Sequence, residues 1–268
     1  MNLLILFIVF ILKNNLEEVV FMMNPEVMEK KELCKKINIL LTPEEREKWD
    51  QAFVLSYVHH TTAIDGNRID ENGVRTILVD GVVSANTTLV DLEELQNAKE
   101  SFQFIEFLNF KKVPLTESLI KDINEKTLPR SGGIYRDHNV FLRGEGLHVP
   151  PSFEKVRPKM KDFVVDIGLK SEGNPIEQAA WIHAEFTKIH PFPDNNGQTG
   201  RRLMNYILLE NDLLPIILTK EDKNEYFKTL DQYSTEKNIT PFAEFVRKNL
   251  LDQMGCFIQK FDYYLNQN

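Results

Sequence analysis

The chain has 268 residues, 42% hydrophobic and 27% charged, a balance that can bury a core and excludes a disordered tail. Its 12 glycines and 12 prolines are too few for collagen or a low-complexity linker. The formal net charge of −8 leaves no basic excess for a phosphate backbone, which excludes nucleic acid as the main partner.

At the N-terminus, Leu3 to Leu12 is an unbroken apolar run ended by Lys13, Asn14 and Asn15. As a helix it would rise about 15 Å, half the hydrocarbon thickness of a bilayer, so a membrane span is disfavoured. Its length suits a signal-peptide core. However, no Lys or Arg precedes it, and no small-residue cleavage site follows before Glu17. Three readings stand side by side: an appendage, a signal or anchor, and a core element. The location is correspondingly cytoplasmic, or in the endoplasmic reticulum and secretory route. Sequons at Asn86 and Asn238 permit the latter. Residues 1–41 are therefore set apart as an N-terminal extension, and 42–268 are read as one helical domain. Cys34 and Cys256 fit neither a disulfide framework nor a metal knuckle, and both read as buried small residues.

Thr42-Pro43-Glu44-Glu45 combines a capping threonine, a first-turn proline and a glutamate placed to close a capping box. Trp49, Phe53 and Tyr57 then stripe one helical face. Further on, Thr61 can cap a short helix that Gly66 ends, an element expected near 57–66. Asp65 then lies on its last turn, at the wrong end of the helix dipole, and would gain from an external cation. A capped connector with a solvated Asp65 fits the same residues. His59 and His60 diverge by about 100° on a helix and cannot share a metal.

Leu95, Ala98, Phe102 and Ile105 form another helical face, and Thr116 opens a helix through Leu119, Ile120 and Ile123. The rhythm breaks at Gly132-Gly133. Val140-Phe141-Leu142 and Leu147-His148-Val149 flank Arg143-Gly144-Glu145-Gly146, and Pro150-Pro151 follows, which predicts a β-hairpin leaning on the helices. Helical stripes resume with Ile182, Phe186 and Ile189, then Leu203, Ile207 and Leu208. Thr240-Pro241 starts a last helix carrying Phe242, Phe245, Val246 and Leu250. The fold class is mainly α, a helical domain with one hairpin.

Between two of these helices lies His190-Pro-Phe192-Pro-Asp194-Asn195-Asn196-Gly197-Gln198-Thr-Gly-Arg201. The prolines end the preceding helix, while Asn195, Asn196 and Gly197 tolerate left-handed backbone that turns N–H groups inward. Together with the next helix's N-terminus they form an anion site, to which Arg201 adds a donor fork. Asp194 offers a hard oxygen for a Mg2+ shared with a phosphate. His190 supplies a base for a hydroxyl proton. A plain Asn/Gly turn with a structural histidine has the same spacing; the order of residue types separates the two.

That order resembles the signature of the Fic family, His-x-Phe-x-Asp/Glu-Gly-Asn-Gly-Arg-x-x-Arg, with Asn195 for its first glycine and Gln198 for its first arginine. The flanks His183-Ala184-Glu185-Phe186 and Leu203-Met204-Asn205 look like the family too, as does the 133–151 hairpin, its flap. The resemblance spans roughly Trp49 to Arg247. It implies a Fic-type helical domain that moves AMP from ATP to a Ser, Thr or Tyr hydroxyl, with Mg2+ (or Mn2+) on Asp194. His190 would be the base. Asn195, Asn196, Gly197, Gln198 and Arg201 would hold the phosphates. Val140, Phe141, Leu142 and Arg143 would cover the nucleotide, and Tyr226-Phe227 would pack near the adenosine or simply in the core. Thr61-x-x-x-Asp65-Gly66 resembles the family's inhibitory motif with Asp for Glu, implying a brake in which Asp65 pairs with Arg201. Asp is one methylene shorter, which implies a weaker brake, just as Gln198 implies weaker phosphate grip. The implied partners are a target protein, the chain itself, an Hsp70-type chaperone and a second copy. Removal of AMP, transfer of another phosphate-containing group, and a nucleotide-binding regulator without catalysis are the alternative readings.

Overall fold

Asn24 accepts the Glu26 N–H and opens α1 (Pro25–Leu40) at the start of the computed structural model, which describes residues 24–85, 87–141, 149–171 and 173–266. Its Val27, Cys34 and Ile37 are buried, so this part of the N-terminal extension joins the common core. The apolar run 3–12 and the sequon at Asn86 lie outside the described residues. Thr42 and Glu45 then form the expected reciprocal capping box at the start of α2 (Pro43–Asp65).

One expectation fails here. Thr61 does not cap a short helix: α2 runs unbroken to Asp65, and Gly66 ends it in a left-handed conformation at φ 114°. No breaker interrupts positions 44–65, and Val58, Thr61, Thr62 and Ile64 are all buried along it. Thr62 donates its hydroxyl to the Val58 carbonyl at 2.9 Å, which satisfies this buried side chain within the helix. The adjacent histidine rings lie 4.9 Å apart but take different partners: His59 Nδ1 meets the Ile69 carbonyl at 3.1 Å, and His60 Nδ1 accepts the Lys220 N–H at 3.2 Å.

The chain continues through α3 (Glu71–Leu78), α4 (Leu89–Phe110) and α5 (Glu117–Thr127). Thr88 and Thr116 cap the last two. Next come α6 (Val156–Leu169), α7 (Pro175–Ile189), α8 (Asn196–Glu210), α9 (Lys223–Glu236) and α10 (Thr240–Lys260). The helices α7 and α8 form the centre, with α2, α4 and α5 against α8, and α6, α9 and α10 against α7. Gly200 makes that central crossing close: a Cβ there would stand 2.4 Å from His183 Nδ1. Among the described residues there is no strand, and no helix is long and apolar enough to cross a membrane. The predicted hairpin turn, with Leu142 and Arg143, lies outside the described residues; Val140, Phe141 and 149–151 on its flanks are unpaired as strands. Cys34 is buried, whereas Cys256, expected inside, is exposed. It falls off the Leu250, Met254 and Phe257 stripe that faces the core.

At the α2–α4 contact, burial and the neighbouring Asp50 carboxylate push Glu106 up to about 7. Between about pH 4.5 and 7 the unfolded chain ionises this group while the folded chain keeps its proton. Stability therefore falls as pH rises through that window, and levels off above it. At about 1.4 kcal/mol per pKa unit, Glu106→Gln is expected to gain roughly 3 kcal/mol over the parent at pH 8, with little gain at pH 4.5. Urea unfolding of both proteins at the two pH values checks this.

Candidate functional site

The loop between α7 and α8 is bracketed by two left-handed residues, His190 at φ 50° and Asn195 at φ 57°. Neither is glycine, so both conformations need support from their surroundings. Asn196 supplies some of it. Its buried amide accepts the Phe192 N–H at 2.9 Å and donates to the Phe192 carbonyl at 2.8 Å. Phe192 itself is buried against Tyr135 and Phe186. The Asn196 side chain thus shapes the loop, leaving main-chain amides to face an anion. Asn195 donates its side-chain amide to the Thr127 carbonyl at 2.9 Å, and no side chain caps the first turn of α8. An uncapped helix start is a site of positive potential.

At the C-terminal end of α7 stands half-buried His190. Its Nδ1 lies 3.3 Å from the Thr187 carbonyl. A carbonyl oxygen only accepts, so this contact assigns the proton to Nδ1 and the lone pair to Nε2. Asp194 is exposed, and one of its oxygens accepts the Asn195 N–H at 2.7 Å.

Arg201, one turn into α8, is only 2% exposed, and α2 surrounds its guanidinium. Nε donates to Thr61 Oγ1 at 2.8 Å, and Nη2 donates to the Thr61 carbonyl at 3.0 Å and to Asp65 Oδ2 at 2.6 Å. The shorter aspartate reaches the arginine because α2 ends directly over α8. Burial opposes the charge on Arg201, but Asp65 together with the Tyr226 and Tyr57 hydroxyls outweighs it and holds the arginine pKa above its ordinary value. The pair also sits at the mouth of the helix: a Cβ on Gly197 would lie 3.3 Å from Arg201 Nη1 and 3.8 Å from Asp65 Oδ1.

Gln198 is buried and points away to Glu94 Oε1 at 3.3 Å, while Arg202 donates to its side-chain oxygen at 3.4 Å. Glu94 also accepts from Asn67 at 2.8 Å, and burial raises its pKa. Tyr226 is buried too. Its hydroxyl meets His183 Nε2 at 2.8 Å and its ring packs on Phe242, so Phe227 alone of that pair reaches the surface. Burial, then the Arg201 charge, push His183 down to about 3 and keep it neutral. Among the described flap positions Phe141 is exposed and Val140 partly so.

Two supporting residues had no signal in the sequence. Asn124 on α5 is fully buried and donates to Thr199 Oγ1 at 3.0 Å and the Asp194 carbonyl at 3.4 Å, and accepts the Gly133 N–H. Arg136 reaches the His190 carbonyl at 2.8 Å. Neither belongs to a recognisable motif; an isolated Asn in a helix and an Arg in a loop are ordinary.

The pattern of the Fic/DOC family matches residues 114–208. The protein adenylyltransferase Fic of Nematostella vectensis is 30% identical over 78% of this chain and 48% of its own length. The protein adenylyltransferase fic-1 of Caenorhabditis elegans is 29% identical over 72% of this chain and 39% of its own. The chain spans about half or less of these curated relatives. A Fic domain containing signaling protein from Bacteroides thetaiotaomicron superposes with a TM-score of 0.80 at 26% identity, covering 86% of this chain and 95% of that one. Fic-1 from C. elegans superposes with a TM-score of 0.75 at 26% identity, covering 87% and 70%.

Proposed function

Because residues 114–208 are a domain of the Fic/DOC family, we propose that this chain is a protein adenylyltransferase that moves AMP from ATP to a Ser, Thr or Tyr hydroxyl. The observation that carries the reading is the short loop that joins His190, whose Nδ1 meets the Thr187 carbonyl, to the uncapped start of α8. In this reaction Nε2 takes the hydroxyl proton as the oxygen attacks the α-phosphorus, and pyrophosphate leaves with the electrons of the broken P–O bond. The first-turn amides of α8 and the Arg201 guanidinium stabilise the phosphate charge. Transfer of this kind needs positioning and charge more than covalent help, and these groups supply both.

A divalent cation fits the donor set. Among the described residues no three His, Cys, Asp or Glu gather, but Mg2+ commonly takes one carboxylate, phosphate oxygens and waters. Asp194 would hold Mg2+ or Mn2+, and when bound the ion neutralises charge on the phosphates. Fic-type flap residues Val140 to Arg143 would cover the nucleotide.

We read the Asp65–Arg201 pair as an internal brake. Asp65 places a carboxylate against the α8 start and engages the arginine meant for phosphate. A nucleotide must displace it.

Incubating the full chain with Mg2+ or Mn2+ and ATP labelled at either the α- or the γ-phosphate tests the activity. The α label is expected on protein, with none from the γ position. Label from the γ position would mean phosphoryl transfer instead, and ATP binding without any label would mean a regulator.

A further inference from the structure

Arg136 is a buried cation in a loop, 3% exposed, with all three arms of its guanidinium on main-chain carbonyls. Nε donates to His190 O at 2.8 Å, Nη1 to His138 O at 3.0 Å, and Nη2 to Pro151 O. Its own backbone N–H donates to Pro191 O at 3.0 Å. One residue therefore grips both carbonyls of the His190-Pro191 step and joins them to positions 138 and 151, which are far apart in sequence. Phe153 N–H adds a second tie by donating to Asn139 Oδ1 at 3.0 Å.

The grip falls where the backbone needs it. His190 is left-handed, at φ 50° and ψ 59°, immediately ahead of a proline. A non-glycine residue holds such a conformation only when its surroundings over-determine it. The histidine N–H is fixed by Phe186 O at 2.9 Å and its carbonyl by Arg136. Turning that peptide would redirect the imidazole it carries. Lysine cannot substitute, because a single ammonium does not address three carbonyls that approach from different directions.

We infer that Arg136 is the positioning residue of this site: it holds the His190 backbone in its reactive conformation and locks 138 and 151 to the same point. This rests on the transfer reading above. Arg136→Lys and Arg136→Ala, each built on Asp65→Ala, test it through four readouts: kcat, KM for ATP, melting temperature, and hydrogen exchange at the Arg136, Asn139 and Phe153 amides. Arg136→Lys is expected to lose about 100-fold in kcat with KM for ATP within about threefold, and to exchange faster at those amides. Millimolar guanidinium is expected to restore part of the rate of Arg136→Ala. Transfer by Arg136→Lys at the parental rate would overturn the inference. So would a loss that guanidinium leaves untouched while the melting temperature collapses. If the Asp65→Ala parent transfers nothing, the transfer reading fails by itself; exchange then decides, and unchanged protection in Arg136→Lys overturns the positioning role.

Discussion

His190→Ala is expected to lower AMP transfer at least about 1,000-fold while ATP still binds. A positioned general base contributes roughly 100- to 10,000-fold, and the imidazole is the base that this loop presents. The side chain is half-buried at the end of α7, outside the fully buried core, and its Nδ1 meets the Thr187 carbonyl. The groups proposed to bind the anion are separate residues: the α8 first turn, Arg201 and Asp194. Nucleotide affinity should therefore survive when the rate does not. Quantifying α-label incorporation alongside ATP titration separates the two. Equal loss of binding and transfer, with a large fall in melting temperature, would make His190 a structural residue.

Asp65→Ala is expected to raise transfer by about 10- to 100-fold and at the same time to lower stability. The two signs come from one contact. Arg201 is 2% exposed and Asp65 is 31% exposed. Removing one partner of a buried pair leaves an uncompensated charge, which can cost 3–5 kcal/mol. The partly exposed aspartate and the two Thr61 bonds moderate this to about 1–3 kcal/mol. The same deletion clears the carboxylate from the mouth of α8, and the stranded guanidinium acquires a reason to hold phosphate. ATP should then restore melting temperature to the variant more than to the parent, since a ligand that binds only the folded state stabilises it by mass action. Thermal melts with and without ATP, beside α-label transfer, provide the check. A variant that melts lower yet transfers no faster would show that the pair serves the fold alone.

Gln198 takes on a different meaning once its surroundings are seen. The residue types suggest a lost phosphate contact. In the fold the amide bridges Glu94 and Arg202 inside the helix bundle, and Glu94 continues the chain of bonds to Asn67, just past Asp65. In the proposed reaction phosphate grip would therefore concentrate on Arg201, which is why so much of the expected regulation passes through Asp65.

Signals that act within a turn or two of chain were legible beforehand. Thr42 with Glu45 starts a helix because cap and donor lie three residues apart. The stripes of Phe102 and Ile105, or Phe186 and Ile189, mark buried faces because the helical period is local. Asn195 adopts the left-handed conformation its short amide tolerates, and Gly66 stops α2 for the same steric reason. The order of residues from His190 to Arg201 likewise carried the resemblance to the Fic/DOC family, whose pattern matches residues 114–208. What only the tertiary structure decided was which of these local pieces meet. Asp65 finds Arg201 from 136 positions away because α2 ends over α8. Arg136 finds His190, Asn124 finds the 194 loop, and Tyr226 turns inward to His183. A side chain's own neighbourhood sets its backbone, but its polar partner is set by how helices cross. That geometry follows from the packing of many apolar faces at once, and no single segment contains it.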